Sequence, residues 1–188
     1  MPQLHPEALD VFPALETDRL LLRAPASADA PALFRLYSDA RIMRYRGEPL
    51  FSGVQEAEAL IEKWTALFAE KKGLRWAITL KGDNALIGTA GYKRLVEMQF
   101  RGEIGYELDP VRWNRGLMTE ALRAVTAWGF RAYGLHSIEA NIAPGNAASR
   151  RVLEKLGFVQ EAHFRQNYYF EGWWDSVIYS LHEKALSA

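Results

Sequence analysis

The chain has no cysteine in its 188 residues. That absence excludes disulfides, thiolate metal sites and any acyl-cysteine formed on the protein. No apolar run approaches the ~18 residues that suggest a membrane span. The four histidines, His5, His136, His163 and His182, are scattered without metal-ligand spacing, so no metal is expected. An excess of either charge is also missing. The 23 Lys and Arg balance the 23 Asp and Glu, which argues against a general nucleic-acid surface. Residues 1–16 carry Pro2, Pro6 and Pro13 and no basic stretch leading into an apolar core. They do not read as a signal peptide, and a cytoplasmic protein is the expectation.

What is present is enough for one sizeable core: 49% of residues are hydrophobic. At this length one domain is the simplest expectation. Residues 1–16 read as an N-terminal extension and 17–188 as the domain. Ala57, Leu60, Ile61, Trp64, Leu67 and Phe68 recur at three and four residues, the clearest helix in the chain. Residues 74–80 and 86–92 read as strands joined by a turn at 81–84, and residues 101–108 as the next strand. Two strand–helix–strand alternations follow, which suggests local parallel pairing. The expected fold is a single-domain α/β one around a mixed, mostly antiparallel sheet. Residues 38–52 read as loop, with Arg41, Arg44, Tyr45 and Arg46 forming a basic-aromatic cluster.

The run from Asp109 to Leu122 is the most informative segment. A strand ends at Leu108, a short basic turn carries Arg112, Arg115 and Gly116, and a helix-like run continues from Leu117 to Tyr133. The first N–H groups of a helix have no internal partner, and the helix dipole adds roughly half a positive charge there. Such a turn can hold a phosphate or pyrophosphate. Asn114, Arg115, Gly116, Leu117, Met118 and Thr119 are its candidate binding residues. Gly116, without a Cβ, lets a ligand approach the backbone. A second segment follows about 30 residues later. Asn146 can cap a helix that runs to Leu156, Gly157 ends it, and Phe158 begins another strand.

These two segments, in this order, resemble the GNAT N-acetyltransferase superfamily. The opening Glu16-Thr17-Asp18-Arg19-Leu20-Leu21-Leu22-Arg23 and the ending from Asn167 to Leu181 resemble its ribosomal-protein (RimJ/RimL-type) branch. The resemblance implies a sheet with helices on both faces and a bulge that splays two neighbouring parallel strands. It implies acetyl-CoA as co-substrate, with its pyrophosphate at residues 114–119. The pantetheine arm would run along Tyr106, Glu107 and Leu108 and beside Asn146 and Ser149. The acceptor would be a primary amine, most directly the N-terminal α-amine of a protein or peptide. A homodimer is compatible with the resemblance, with neither nucleic acid nor membrane as a partner.

Acyl transfer needs a neutral amine, a polarised thioester and a proton for the leaving thiolate. An α-amine with pKa ~7.7–8.0 is partly neutral near pH 7.5, whereas a lysine near ~10.4 is almost wholly charged. Glu161, by resemblance to the serine-specific branch, and Glu103, on the strand before the turn, are the candidate bases. Ser149, Tyr168 or water could protonate the thiolate. The alanine-specific type has a glutamate where this chain has Asn141 and a tyrosine where it has Leu153. Trp113 and Met118 also depart from the superfamily's usual turn, and Met118 is expected to narrow the phosphate approach. Arg41, Arg44, Arg46 and Arg165 suit an acidic or neutral acceptor, and Tyr168, Tyr169, Trp173 and Trp174 could wall its groove. Two alternatives stand beside this reading. One is an enzyme acting on a small amine, such as an amino acid, antibiotic or polyamine. The other is a catalytically silent acyl-CoA-binding module.

Overall fold

The computed structural model describes residues 3–183. Eight strands form one sheet: β1 (Leu15–Glu16), β2 (Leu20–Arg23), β3 (Leu74–Leu80), β4 (Leu86–Val96), β5 (Arg101–Leu108), β6 (Ser137–Ile142), β7 (Val159–Tyr169) and β8 (Trp173–His182). Their order is β1-β2-β3-β4-β5-β6-β8-β7, and only β5 and β6 pair in parallel. The second strand–helix–strand alternation does not make another parallel pair. β8 inserts between β6 and β7 and is antiparallel to both. Hairpin closure between consecutive strands is local, whereas the fit of β8 beside β6 depends on contacts that no short sequence window contains.

Helices cover both faces. On one lie α4 (Leu117–Trp128) and α5 (Ala147–Lys155), and on the other α1 (Ala30–Tyr37), α2 (Ala40–Met43) and α3 (Val54–Ala69). The larger core gathers Trp76, Tyr92, Ile104, Leu122, Val125 and Ile138 between the sheet and α4. The smaller core packs Leu33, Leu36 and Ile61 under α1 and α3. The helical run expected from Leu117 to Tyr133 changes register at Gly129, where a π-helical turn carries it to Tyr133. Part of the N-terminal extension is tied to this core. The Trp76 indole donates to Pro13 O at 2.6 Å, and Phe12 packs against Phe68 and Trp76. Residues 184–188 of the expected domain lie outside the described residues.

Candidate active site

β5 and β6 stay together for only four rungs, from Arg101–Ser137 to Ile104–Ala140. Past that point β5 continues on β4 to Leu108, and β6 continues on β8 to Ile142. The two strands therefore part after Ile104. A register irregularity in β4 between Tyr92 and Arg94 lies opposite Ile104 and Glu103. An extra residue there, Lys93, raises the local twist where the pairing with β6 ends. The bulge thus belongs to β4.

The ladder decides which amides face the opening. Asp109 N–H donates to Ile87 O at 2.9 Å, toward β4. Antiparallel amides alternate in direction, so those of Glu107 and Gly105 also turn to β4. Those of Tyr106 and Leu108 turn to the opening. The Trp113 indole occupies the Leu108 carbonyl at 2.7 Å. The Tyr106 N–H and C=O and the Leu108 N–H are left facing a space with no strand beside them. An extended, amide-bearing ligand can lie there as an added strand.

Glu107 does not serve this opening. Its amide turns away, and its buried side chain lies on the other face of the sheet. There the carboxylate receives the Arg75 and Arg46 guanidinium groups, the Thr89 hydroxyl at 2.9 Å and the Tyr37 hydroxyl at 3.2 Å. Burial pushes its pKa up, but Arg75, Arg46 and the Thr89 hydroxyl outweigh that and hold it at about 2. Arg75 also donates to Gly105 O at 2.7 Å. It crosses close to Gly105, where a Cβ would stand 3.1 Å from its Nη1 and would run into the Lys93 side chain.

On the α4 side, the turn after β5 contains two left-handed residues, Asn114 (φ 59°) and Gly116 (φ 75°). α4 starts immediately afterwards, with its first amides free of backbone partners. Met118 and Leu117 bury their side chains in the core. Met118 therefore leaves the turn open, contrary to expectation, because its place in the first helical turn faces the sheet. Arg19 was not singled out in the sequence. It donates to Arg115 O at 3.0 Å and to the Glu120 carboxylate at 2.6 Å, fastening the turn to the start of β2. The two ends are about 100 residues apart in the chain, so no local pattern reveals the contact.

Asn146 caps α5 by accepting Ser149 N–H at 3.1 Å. Ser149 O in turn faces the Tyr106 hydroxyl at 3.4 Å, so β5 and α5 meet over the opening. On the other face the segment 45–47 acts as a strap. Tyr45 lies beside Gly145, Arg46 binds Glu107, and the Tyr168 hydroxyl donates to Gly47 O at 2.8 Å. That last bond commits Tyr168 to the strap. Near the strap is a cavity of about 330 Å³, walled by Tyr37, Phe51 and Trp64 and bounded by Arg75 and Lys93.

Two of the four arginines expected to make this face basic are paired. Arg41 binds Asp39, and Arg46 binds Glu48 and Glu107. Glu103 lies one residue before the parting point, 3.9 Å from Lys93 and 3.5 Å from Arg94. Glu161 sits at an irregularity in β7 and accepts the Ser180 hydroxyl at 2.7 Å. β8 and β6 stand between it and the opening, roughly 10 Å of sheet at ~4.8 Å per strand. The structure therefore does not bring Glu161 to Tyr106.

Comparisons with known proteins agree with this architecture. Residues 19–159 match the model of the acetyltransferase (GNAT) domain. The chain is 40% identical over 172 residues to the uncharacterized N-acetyltransferase YoaA of Bacillus subtilis (strain 168), covering 91% of this chain and 97% of that one. It is 29% identical over 176 residues to the [ribosomal protein uS5]-alanine N-acetyltransferase of Escherichia coli (strain K12), 89% of each. The crystal structure of a GNAT-family acetyltransferase from Bacillus anthracis superposes with a TM-score of 0.82 at 28% identity, covering 92% of this chain and 99% of that one. The chain belongs to the GNAT family of acetyltransferases, and its homologues include ribosomal-protein N-acetyltransferases.

Proposed function

We propose that this enzyme transfers acetyl from acetyl-CoA directly to the α-amine of a protein or peptide. The observation that carries the reading is the parting of β5 and β6, which leaves the Tyr106 and Leu108 amides for a pantetheine arm. The turn 113–119 lies at one end of that opening, where the α4 amides, Arg112 and Arg115 can hold a pyrophosphate. When bound, the thioester supplies an activated acyl group. The chain's own residues position it, bring the amine from the cavity face and move two protons.

Glu103 is the carboxylate best placed to take the amine's proton, through a water, because it is partly exposed one residue from the opening. Glu107 cannot, since it stays ionised and saturated with donors. The Tyr106 hydroxyl meets Ser149 O at 3.4 Å on the α5 side, and we take the Tyr106 or the Ser149 hydroxyl as the candidate donor for the departing thiolate. No strong, desolvated base is present among the described residues for a fully charged lysine, so an amine already partly neutral near pH 7.5 is the better acceptor.

The test is mass spectrometry of peptides with matched free and blocked N-termini after incubation with acetyl-CoA. Label on the free α-amine, with internal lysines spared, is expected. Equal labelling of both peptides, or of free small amines only, overturns the protein-acceptor reading. Glu103→Gln should lower kcat at pH 7 by roughly a hundredfold, the scale of a general base, with a smaller defect at pH 9. A comparable defect in Glu161→Gln, and none in Glu103→Gln, returns the role to β7.

A further inference from the structure

The cavity near the strap has its own chemistry. Its wall carries Arg46, Lys63, Arg75 and Lys93 against a single acid, Glu48. Most of that charge is matched in pairs. Arg46 binds Glu48 and shares Glu107 with Arg75. Two lysines remain. Lys63, exposed on α3, has no ion pair among the described residues, and Lys93 has only Glu103 at 3.9 Å, which Arg94 shares. Arg75 also lines the wall, but it is 5% exposed and its Nη groups are committed to Gly105 O, the Thr89 hydroxyl and Glu107, so it adds positive potential and not a free donor. The remaining wall is aromatic, with the Trp64 ring 5.4 Å from the Arg75 guanidinium.

We infer that this cavity binds a carboxylate of the acceptor, held by Lys93 and Lys63 while the amine reaches the opening between β5 and β6. The inference rests on the transferase reading above and names the acceptor class within it. Position supports it. Lys93 packs over Gly105, the residue just before Tyr106, so the cationic end of the cavity adjoins the place where the acyl group would lie. Size supports it too. About 330 Å³ is near the small end of ligand pockets, ~300–1,000 Å³, room for one or two residues and not a folded surface. The free charge comes from a bulge residue and a helix, not from the paired Arg41 and Arg46.

Two sources of carboxylate fit: an acidic side chain close behind a peptide's N-terminus, or the α-carboxylate of a free amino acid. The experiment compares matched pairs, a free-N-terminus peptide with Glu or Gln at its second position, and a free amino acid with its amide. The wild type should prefer the acid by about tenfold in kcat/KM, mainly through KM, and added salt should shrink the preference. Preference within the peptide pair assigns the side chain, and preference only within the amino-acid pair assigns the α-carboxylate. Lys93→Met keeps the stem over Gly105 and should bring the ratio close to one, and Lys63→Met should move it in the same direction. Arg94→Met, on the strand but outside the cavity wall, should keep the preference. Should Lys93→Met fail to fold, Lys63→Met carries the test from an exposed helix position. Acetylation of acid and amide alike, or an unchanged ratio in both lysine variants, overturns the inference. No acetylation of any amine would instead count against the transferase reading.

Discussion

Glu107 carries a negative charge into a space nearly closed to water, and it stays charged because two guanidinium groups and two hydroxyls meet it there. Such a cluster is weak evidence of net stability, but breaking it is costly, because a buried charge is left alone. Glu107→Gln should therefore destabilise the fold by roughly 3–5 kcal/mol in urea unfolding, while the double variant Arg75→Met/Glu107→Met should recover much of the loss. A single variant as stable as wild type would mean that Arg75 finds water. The pH dependence has a definite sign. The carboxyl is held at about 2, below its ordinary 4.5. Its contribution is complete above pH ~4.5 and is lost as pH falls toward 2, so the wild type should lose stability across that window more steeply than the double variant. None of this was legible in the sequence. Glu107 follows Tyr106 in an alternating strand, and alternation says which face a side chain takes but not that Arg75, 32 positions away, will meet it.

At the scale of elements, the turn into α4 was legible because its signals are local. A strand end, a Gly and the first turn of a helix all fall between Leu108 and Glu120. The cap at Asn146 and the stop at Gly157 were readable for the same reason. The gap between β5 and β6 came from the family resemblance and not from any local pattern, because its bulge lies in β4, and the insertion of β8, which depends on a hairpin folding back past β7, was not legible at all. The turn makes a prediction at its own scale. Acetyl-CoA should raise the wild-type melting temperature, by an amount that grows with ligand excess and reaches ~2.7 kcal/mol at 100 times Kd. Gly116→Asp places a carboxylate where a pyrophosphate would sit and should abolish most of the shift. Arg19→Ala unfastens Arg115 O and Glu120 and should weaken the shift while leaving the unliganded melting temperature within a few degrees. An equal shift in all three proteins would place the ligand elsewhere.

Across the whole molecule, the opening divides the sheet. β1 to β5 with α1, α2 and α3 lie on one side, and β6 to β8 with α5 on the other. Four parallel rungs, α4 with its π-helical end, the Tyr106–Ser149 contact and the 45–47 strap hold the halves together. A ligand lying in the opening would add the backbone partners that the parted strands lack, so it should act on the sheet as a missing strand does. Hydrogen exchange resolves this by residue. In the free protein the Tyr106 and Leu108 amides should exchange quickly, having no partner strand, while the Gly105 and Glu107 amides, turned to β4, should be protected. Acetyl-CoA should slow Tyr106 and Leu108 selectively and leave Glu107 nearly unchanged. That alternation, every second amide along one strand, follows from the pleat and from the direction of the Asp109–Ile87 bond. Uniform protection along residues 105–108 would point to global tightening instead. Protection at 117–119 with none at Tyr106 would leave a phosphate site at the turn but remove the pantetheine arm from the opening.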